Sequence, residues 1–231
     1  MFIPLKDSTF RLSPPYVTIS IILINISVFI YQTTLPGEAL HAWIYSTGVI
    51  SSQLFKHGVS GFILPFFSSL FIHGGFLHVA GNMLYLWIFG DNIESTLGHC
   101  KFILFYFAAG IVATICQLIF QGYSDIPIIG ASGAISGILG AYMIRYPRAR
   151  IQVFFWLIII IRRVWIPAAY VLGFWFLIQL SNGLGALTIQ QQAGGVAWFA
   201  HIGGFLAGIA LLFILEPYER KRVWKQLNRR Y

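Results

Sequence analysis

The stretch 102–122, FILFYFAAGIVATICQLIFQG, runs for 21 residues without a charged side chain. At a rise of about 1.5 Å per residue, a helix of this length spans about 30 Å, which is the thickness of the hydrocarbon core of a bilayer. The rest of the chain has the same character, since 58% of its 231 residues are hydrophobic and only 10% are charged. A soluble domain of this length needs far more polar surface, so the sequence predicts a protein whose main solvent is lipid.

Six segments have the length and apolarity of a membrane-spanning helix. Their predicted bounds are 16–34, 75–97, 102–122, 128–146, 164–182 and 197–215. The apolar run 151–161 is too short to cross as a helix, and its β-branched and aromatic residues favour a strand-like or interfacial hairpin. The long connection 35–72 is rich in aromatic residues, which favours a structured, partly embedded loop. We therefore predict an all-α membrane protein with six transmembrane helices, forming one domain over 1–231.

The basic residues indicate an orientation. With six spans and the N-terminus inside, 14 of the 15 Lys and Arg residues fall on the cytoplasmic side, and only Lys56 falls outside. Such a bias sets topology by the positive-inside rule, so both termini are predicted to be cytoplasmic. The basic tail 216–231 follows a span directly and is expected to face anionic lipid, which makes a nucleic-acid partner unnecessary to explain the net charge of +8.

Four polar side chains in the outer parts of predicted spans are candidate functional residues, because polar groups inside a membrane are costly and mark functional sites. His78 and Asn82 are one helical turn apart on the second span, Ser132 is on the fourth, and His201 is on the sixth. These three spans run in the same direction in the predicted topology. Each of the four residues lies within the outer part of its span, so the helices are expected to hold them at a similar depth.

The chemistry that fits these residues is acyl transfer. A serine hydroxyl becomes a useful nucleophile when a neighbouring imidazole takes its proton, which suits Ser132 and His201. His78, Asn82 and the Ser132 amide are candidate donors to a developing oxyanion. Asp125 is an acid on the same side but lies in a loop, so a Ser–His dyad is favoured over a triad. No pattern of metal ligands occurs in the outer halves of the spans, so a metal site is not expected.

Three short stretches resemble the motifs of rhomboid intramembrane serine proteases. They are HGGFLHVAGN (73–82), GASG (130–133) and AHIGG (200–204), in this order on the second, fourth and sixth spans. The stretch LWIFGDNIE (86–94) also resembles that family's end of the second span. The resemblance extends over about 16–215. It implies that Ser132 is the nucleophile and His201 the general base, with His78 and Asn82 in the oxyanion hole and no cofactor.

The resemblance also implies what the protein acts on and where. Rhomboids cleave transmembrane segments of other membrane proteins near the outer face, with a preference for a small residue before the scissile bond and helix-destabilising residues after it. A multi-pass protein of the cytoplasmic membrane, with a site opening to the outer face, is therefore expected. A catalytically silent relative that binds membrane clients, and a transporter that uses the polar pocket, are the alternatives.

Two positions depart from the family pattern. Many rhomboids have Trp-Arg in the first loop where this chain has Leu64-Pro65, which leaves the polar anchoring of that loop unassigned. Many also have an aromatic residue one turn after the nucleophile that packs on the base, whereas this chain has Ser136. Support for His201 must then come from a residue that the motifs do not identify.

Overall fold

The computed structural model describes residues 2–11, 13–58, 63–157, 160–188 and 195–218. Most of the predicted basic tail lies outside them. The described elements, in chain order, are β1 Phe2–Asp7, α1 Tyr16–Thr34, α2 Gly37–Thr47, α3 Ser51–His57, α4 Ile63–Ser68 with a 3₁₀ turn Ser69–Phe71, α5 Phe76–Tyr85 with a π-turn Leu86–Gly90, α6 Asp91–Leu97, α7 His99–Gln121, α8 Ser132–Arg145, β2 Arg150–Leu157, β3 Ile160–Pro167, α9 Ala168–Thr188 and α10 Trp198–Leu215.

The predicted class, a mostly helical membrane protein with several spans, is confirmed. Among the described residues, α1, α7, α9 and α10 are each long and apolar enough to cross a bilayer. The pair Ile63–Phe71 and Phe76–Leu97 is a further candidate, bent by 90°. The spans α1 and α9 expose many large apolar side chains, among them Leu23, Phe174 and Leu177. Such surfaces are stable in contact with lipid rather than water.

Two predicted spans begin later than expected. The fourth, predicted from 128, becomes helical only at Ser132, because Ile128 forms a β-bridge with Val49 and Gly130 has a φ of 115°. The resulting helix α8 has 14 residues and is about 21 Å long. The fifth, predicted from 164, becomes helical at Ala168, because strand β3 continues to Pro167.

A small antiparallel sheet of order β1-β2-β3 accompanies the helices. The hairpin of β2 and β3 confirms the strand-like prediction for 151–161, and its register pairs Arg150 with Pro167. Strand β1 was not predicted. It is a six-residue segment that becomes a strand by pairing with β2, about 150 positions later in the chain, with an irregularity between Pro4 and Lys6.

The helices define two ends of the molecule. We call the end that carries the sheet and Glu94 the sheet end, and the end at which α5, α8 and α10 begin the site end. The connection between α1 and α5 lies at the site end and is largely helical, as expected for a structured loop. Serine side chains hold this connection, which has Leu64-Pro65 in place of Trp-Arg. Ser51 Oγ donates to the Ser124 carbonyl at 3.0 Å, and Ser68 Oγ donates to the Thr47 carbonyl at 2.7 Å.

Helices α8 and α10 are in backbone contact through glycines. A Cβ atom added at Gly204 would lie 2.1 Å from the carbonyl oxygen of Gly133. One added at Gly208 would lie 1.9 Å from the carbonyl oxygen of Gly137. Small residues four positions apart allow helices in lipid to pack this closely. The contact brings the first turn of α8, which contains Ser132, against the turn of α10 that follows His201.

Candidate active site

Ser132 is the first residue of α8 and is half-buried. The chain reaches it through the Val49–Ile128 bridge and through Gly130, whose amide donates to the Ser69 carbonyl at 2.8 Å. The first amides of a helix have no carbonyl partner within the helix and lie at its positive end. The turn between this β-bridge and α8 therefore presents Ser132 beside amide groups suited to bind negative charge.

His78 and Asn82 both approach Gly130, two residues before Ser132. A Cβ atom added at Gly130 would lie 2.8 Å from Cε1 and Nε2 of His78 and 3.8 Å from Nδ2 of Asn82. The left-handed φ of Gly130 and this close approach both require glycine. Asn82 is 8% exposed, and its Nδ2 has no hydrogen-bond partner among the described residues. The donors on α5 thus border the peptide that leads into Ser132.

The hydrogen bond at the other nitrogen of His78 indicates which ring atom carries its proton. The Gly74 amide donates to His78 Nδ1 at 3.4 Å, a long hydrogen bond. A neutral imidazole that accepts at Nδ1 has its proton on Nε2. Nε2 is one of the two ring atoms nearest Gly130, so His78 presents an N–H donor toward the turn before Ser132.

His201 lies in the first turn of α10 and is half-buried. A Cβ atom added at Gly133 would lie 3.8 Å from both the Cβ and the carbonyl oxygen of Ala200. Ser132 and His201 therefore occupy neighbouring positions on two helix turns that face each other. Gln117 of α7 holds this part of α10, since its Oε1 accepts a hydrogen bond from the Ala200 amide at 3.1 Å.

Among the described residues, the hydrogen-bond partner and the ring partners of His201 lie on α9 and α10. Its Nδ1 lies 2.8 Å from Oε1 of Gln179. The ring centroid of Trp175 is 5.8 Å from that of His201 at an interplanar angle of 35°, and Trp198 meets it edge-on at 6.3 Å. Ser136 instead donates its hydroxyl hydrogen to the Ser132 carbonyl at 2.6 Å. Sequence reasoning missed both α9 residues, although a glutamine inside a predicted span is a usable signal.

Three other ionisable residues, Asp125, His73 and Glu94, have no role in the proposed dyad. Asp125 accepts a hydrogen bond from Ser52 Oγ, so its carboxylate is engaged by the first loop. His73 is buried, with its ring centroid 5.0 Å from that of His78, and Gln32 holds its backbone through hydrogen bonds of 3.0 and 3.1 Å. Glu94 lies at the sheet end. In the described part of the chain, no group of three or more His, Cys, Asp or Glu side chains could hold a metal ion.

Comparisons with known proteins agree with the motifs. A family model described as a Rhomboid domain matches residues 60–218. Presenilin-associated rhomboid-like protein, mitochondrial, from Bos taurus is 30% identical over 171 residues, which cover 70% of this chain and 39% of that protein. Rhomboid protein 1, mitochondrial, from Saccharomyces cerevisiae is 30% identical over 166 residues, covering 70% and 43% of the two chains.

A bacterial relative is similar to this chain over a shorter stretch. Rhomboid protease GluP from Bacillus subtilis is 31% identical over 138 residues, which cover 60% of this chain and 26% of that protein. In each of these three relatives the matched region is less than half of the full length. The chain thus corresponds to only part of the length of these relatives.

Proposed function

The chain belongs to the rhomboid family, and on that premise we propose that it is an intramembrane serine endopeptidase that uses a Ser132–His201 dyad. The observation that carries this proposal is the surrounding of Gly130. Two side-chain donors, His78 and Asn82, approach Gly130, two residues before a serine at a helix N-terminus. The buried amide nitrogen of Asn82 has no partner among the described residues, as expected of a donor whose acceptor is a substrate oxygen.

The proposed reaction proceeds through an acyl-enzyme. His201 Nε2 takes the proton of the Ser132 hydroxyl as Ser132 Oγ attacks the scissile carbonyl carbon. The carbonyl π electrons move to oxygen, and the oxyanion accepts hydrogen bonds from the Ser132 amide, His78 Nε2–H and Asn82 Nδ2–H. Collapse breaks the C–N bond, and His201 returns its proton to the leaving amine. Water then attacks the ester carbonyl carbon while His201 takes one of its protons; the bond between that carbon and Ser132 Oγ breaks, and His201 returns the proton to Oγ as the acid product leaves.

The proposed substrates are transmembrane segments of other membrane proteins that contain helix-destabilising residues. A peptide bond inside a stable helix is shielded by its own hydrogen bonds, so a segment that unwinds near the site presents its carbonyl to Ser132 more readily. We further propose the cytoplasmic membrane as location, with both termini cytoplasmic and the site end toward the outer face. The support for this orientation is the predicted segregation of the basic residues, of which only Lys56 falls outside.

Cleavage of a tagged transmembrane substrate by the purified, detergent-solubilised protein tests this function. Ser132→Ala and His201→Ala are each expected to lower kcat by at least about 10³-fold, because each removes one of two groups that act as a unit. The matched control is Ser136→Ala, which removes a buried hydroxyl one turn later on the same helix and should remain active. Undiminished cleavage by Ser132→Ala would rule out the proposed nucleophile.

A serine-directed fluorophosphonate probe separates an inactive protein from one with a narrow substrate range. Labelling of the wild type and of Ser136→Ala, with none of Ser132→Ala, is the expected pattern. If no generic substrate is cleaved but labelling follows this pattern, specificity is narrow. If neither cleavage nor labelling occurs in folded wild-type protein, the chain is a client-binding relative and the proposal fails.

A further inference from the structure

His201 has a hydrogen-bond partner that none of the three motifs contains. Gln179 of α9 precedes His201 by 22 residues, is 5% exposed, and has its Oε1 2.8 Å from His201 Nδ1. A buried amide in a membrane span is costly unless its polar atoms are paired. This pairing is to the one side chain that the proposed mechanism uses as its base.

The second polar atom of Gln179 defines how its amide is oriented. Nε2 donates to the backbone carbonyl of Trp175, one helical turn earlier, at 3.4 Å. With the nitrogen directed to that carbonyl, the amide oxygen faces the imidazole. An amide oxygen can only accept a hydrogen bond, so Nδ1 of His201 must be the donor.

The position of this proton decides whether His201 can act as a base. A neutral imidazole carries one proton, and a proton on Nδ1 leaves the lone pair of Nε2 free. That lone pair can accept the Ser132 hydroxyl proton. In the opposite tautomer Nε2 already carries the proton, and the same ring in the same place is unable to deprotonate Ser132.

Trp175 restrains the ring that Gln179 orients. Its ring lies at a centroid distance of 5.8 Å from His201, tilted by 35°, and it is on the same face of α9 as Gln179 because the two are four residues apart. The aromatic contact and the hydrogen bond thus come from successive turns of one helix. Together they give His201 two contacts from α9, whereas Ser136, at the α8 position where many rhomboids have an aromatic residue, donates to the Ser132 carbonyl.

We propose that Gln179 is a positioning residue that holds His201 in the Nδ1-protonated tautomer, with Trp175 fixing the plane of the ring. The proposal rests on the proposed role of His201 as general base. It assigns to α9 a part in the chemistry of the site in addition to its part in the bundle. It also makes the functional unit a Ser–His–Gln set whose third member is uncharged.

Replacement of Gln179 by a residue without an acceptor tests the proposal. Gln179→Leu is expected to lower kcat and the rate of fluorophosphonate labelling by about 10- to 100-fold with little change in KM, because part of the protein then has the unproductive tautomer. In ¹⁵N-histidine NMR spectra, the His201 proton should move from Nδ1 toward Nε2. The His201 signals are assigned by their loss in His201→Ala.

A conservative variant distinguishes the hydrogen bond from packing. Gln179→Glu retains an acceptor of the same length, so it should restore the tautomer and most of kcat. Its carboxylate also stabilises an imidazolium, so the acidic limb of the pH–rate profile should shift to higher pH than in the wild type. A purely structural role for Gln179 predicts neither the restored NMR signal nor this shift.

Gln117→Leu is the matched control, since it removes another amide that holds the first turn of α10. The Gln117 oxygen accepts from the Ala200 amide rather than from the imidazole. Its loss should lower Tm while the His201 tautomer and the acidic limb stay unchanged. If Gln179→Leu fails to fold, Gln179→Met replaces it, because methionine has a similar length and lacks the amide.

Two results would overturn the assignment of Gln179. One is a wild-type kcat together with an unchanged His201 signal in Gln179→Leu or Gln179→Met. The other is the same loss of tautomer signal in Gln117→Leu, which would make the effect a general one of this helix turn. Either result leaves the dyad intact if His201→Ala is inactive, whereas activity in His201→Ala would refute the proposed function itself.

Discussion

At the sheet end the buried carboxylate of Glu94 has hydrogen bonds at both oxygens, whereas at the site end the buried amide nitrogen of Asn82 has none among the described residues. Glu94 Oε1 accepts from the Val17 amide at 2.9 Å and contacts His99 Nδ1 at 2.6 Å. Its Oε2 accepts from the amide and the hydroxyl of Thr18 at 2.7 and 2.6 Å. These amides belong to the first turn of α1, so Glu94 caps a neighbouring helix.

The difference shows how one bundle serves two purposes. A paired polar group in an apolar surrounding stabilises the fold, because each partner would be costly to leave without the other. An unpaired donor stabilises nothing in the free protein and is available to a substrate oxygen. The sheet end is therefore expected to determine stability, and the site end to determine activity.

The largest expected effect comes from the same substitution made at the two ends. Asn82→Leu removes a donor without a protein partner, so kcat should fall by about 10²- to 10³-fold while the free energy of unfolding is unchanged or increased. Asn92→Leu removes an amide that donates to Asp7 Oδ2 at 3.0 Å and to Asp91 Oδ1 at 2.7 Å. It should cost about 1–3 kcal/mol of stability and leave kcat per folded molecule nearly unchanged.

Kinetics and unfolding measured on both variants in the same detergent check this pair. A stability loss in Asn82→Leu as large as that in Asn92→Leu would mean that the site-end amide has a structural role. The proposed distinction between the two ends would then fail.

The next largest expected effect is the loss of stability when Glu94, which caps α1, is replaced. Glu94→Leu leaves the Val17 amide and both Thr18 donors without an acceptor, and we expect a loss of about 3 kcal/mol in the free energy of unfolding. Activity of the molecules that remain folded should persist, because Glu94 lies at the opposite end from Ser132. Thermal unfolding monitored by circular dichroism, with cleavage measured well below Tm, tests both parts.

Glu38→Leu provides the control for removing a carboxylate. Glu38 is exposed on α2 and should change stability by less than about 0.5 kcal/mol. Equal Tm values for Glu94→Leu and Glu38→Leu would show that the cap contributes nothing.

The sequence predicted the membrane spans and the polar residues inside them. Long apolar runs identify spans, and polar residues inside them, such as Ser132 and His201, stand out from their surroundings. Strand β1 could not be predicted in the same way, because its pairing partner lies about 150 positions away and its six residues have no clear alternation. The same reasoning could have identified Gln179 as a polar residue inside a predicted span. Its contact with His201 could not be predicted, because that contact depends on how α9 packs against α10.

A substitution at Gly204 tests how far the site end depends on the backbone contact between α8 and α10. In Gly204→Ala the new Cβ would lie 2.1 Å from the Gly133 carbonyl, so α10 must move away from α8. Overpacking of this kind costs about 1–3 kcal/mol, and the displaced His201 should lower kcat by more than the loss of folded protein explains. Gly173→Ala on α9, where a Cβ meets no atom within 4 Å, should be neutral or stabilising by up to about 1 kcal/mol. If Gly204→Ala loses stability but keeps its full kcat, the active site tolerates a change in helix spacing, and the alignment of Ser132 with His201 must depend on α9 rather than on the glycine contact.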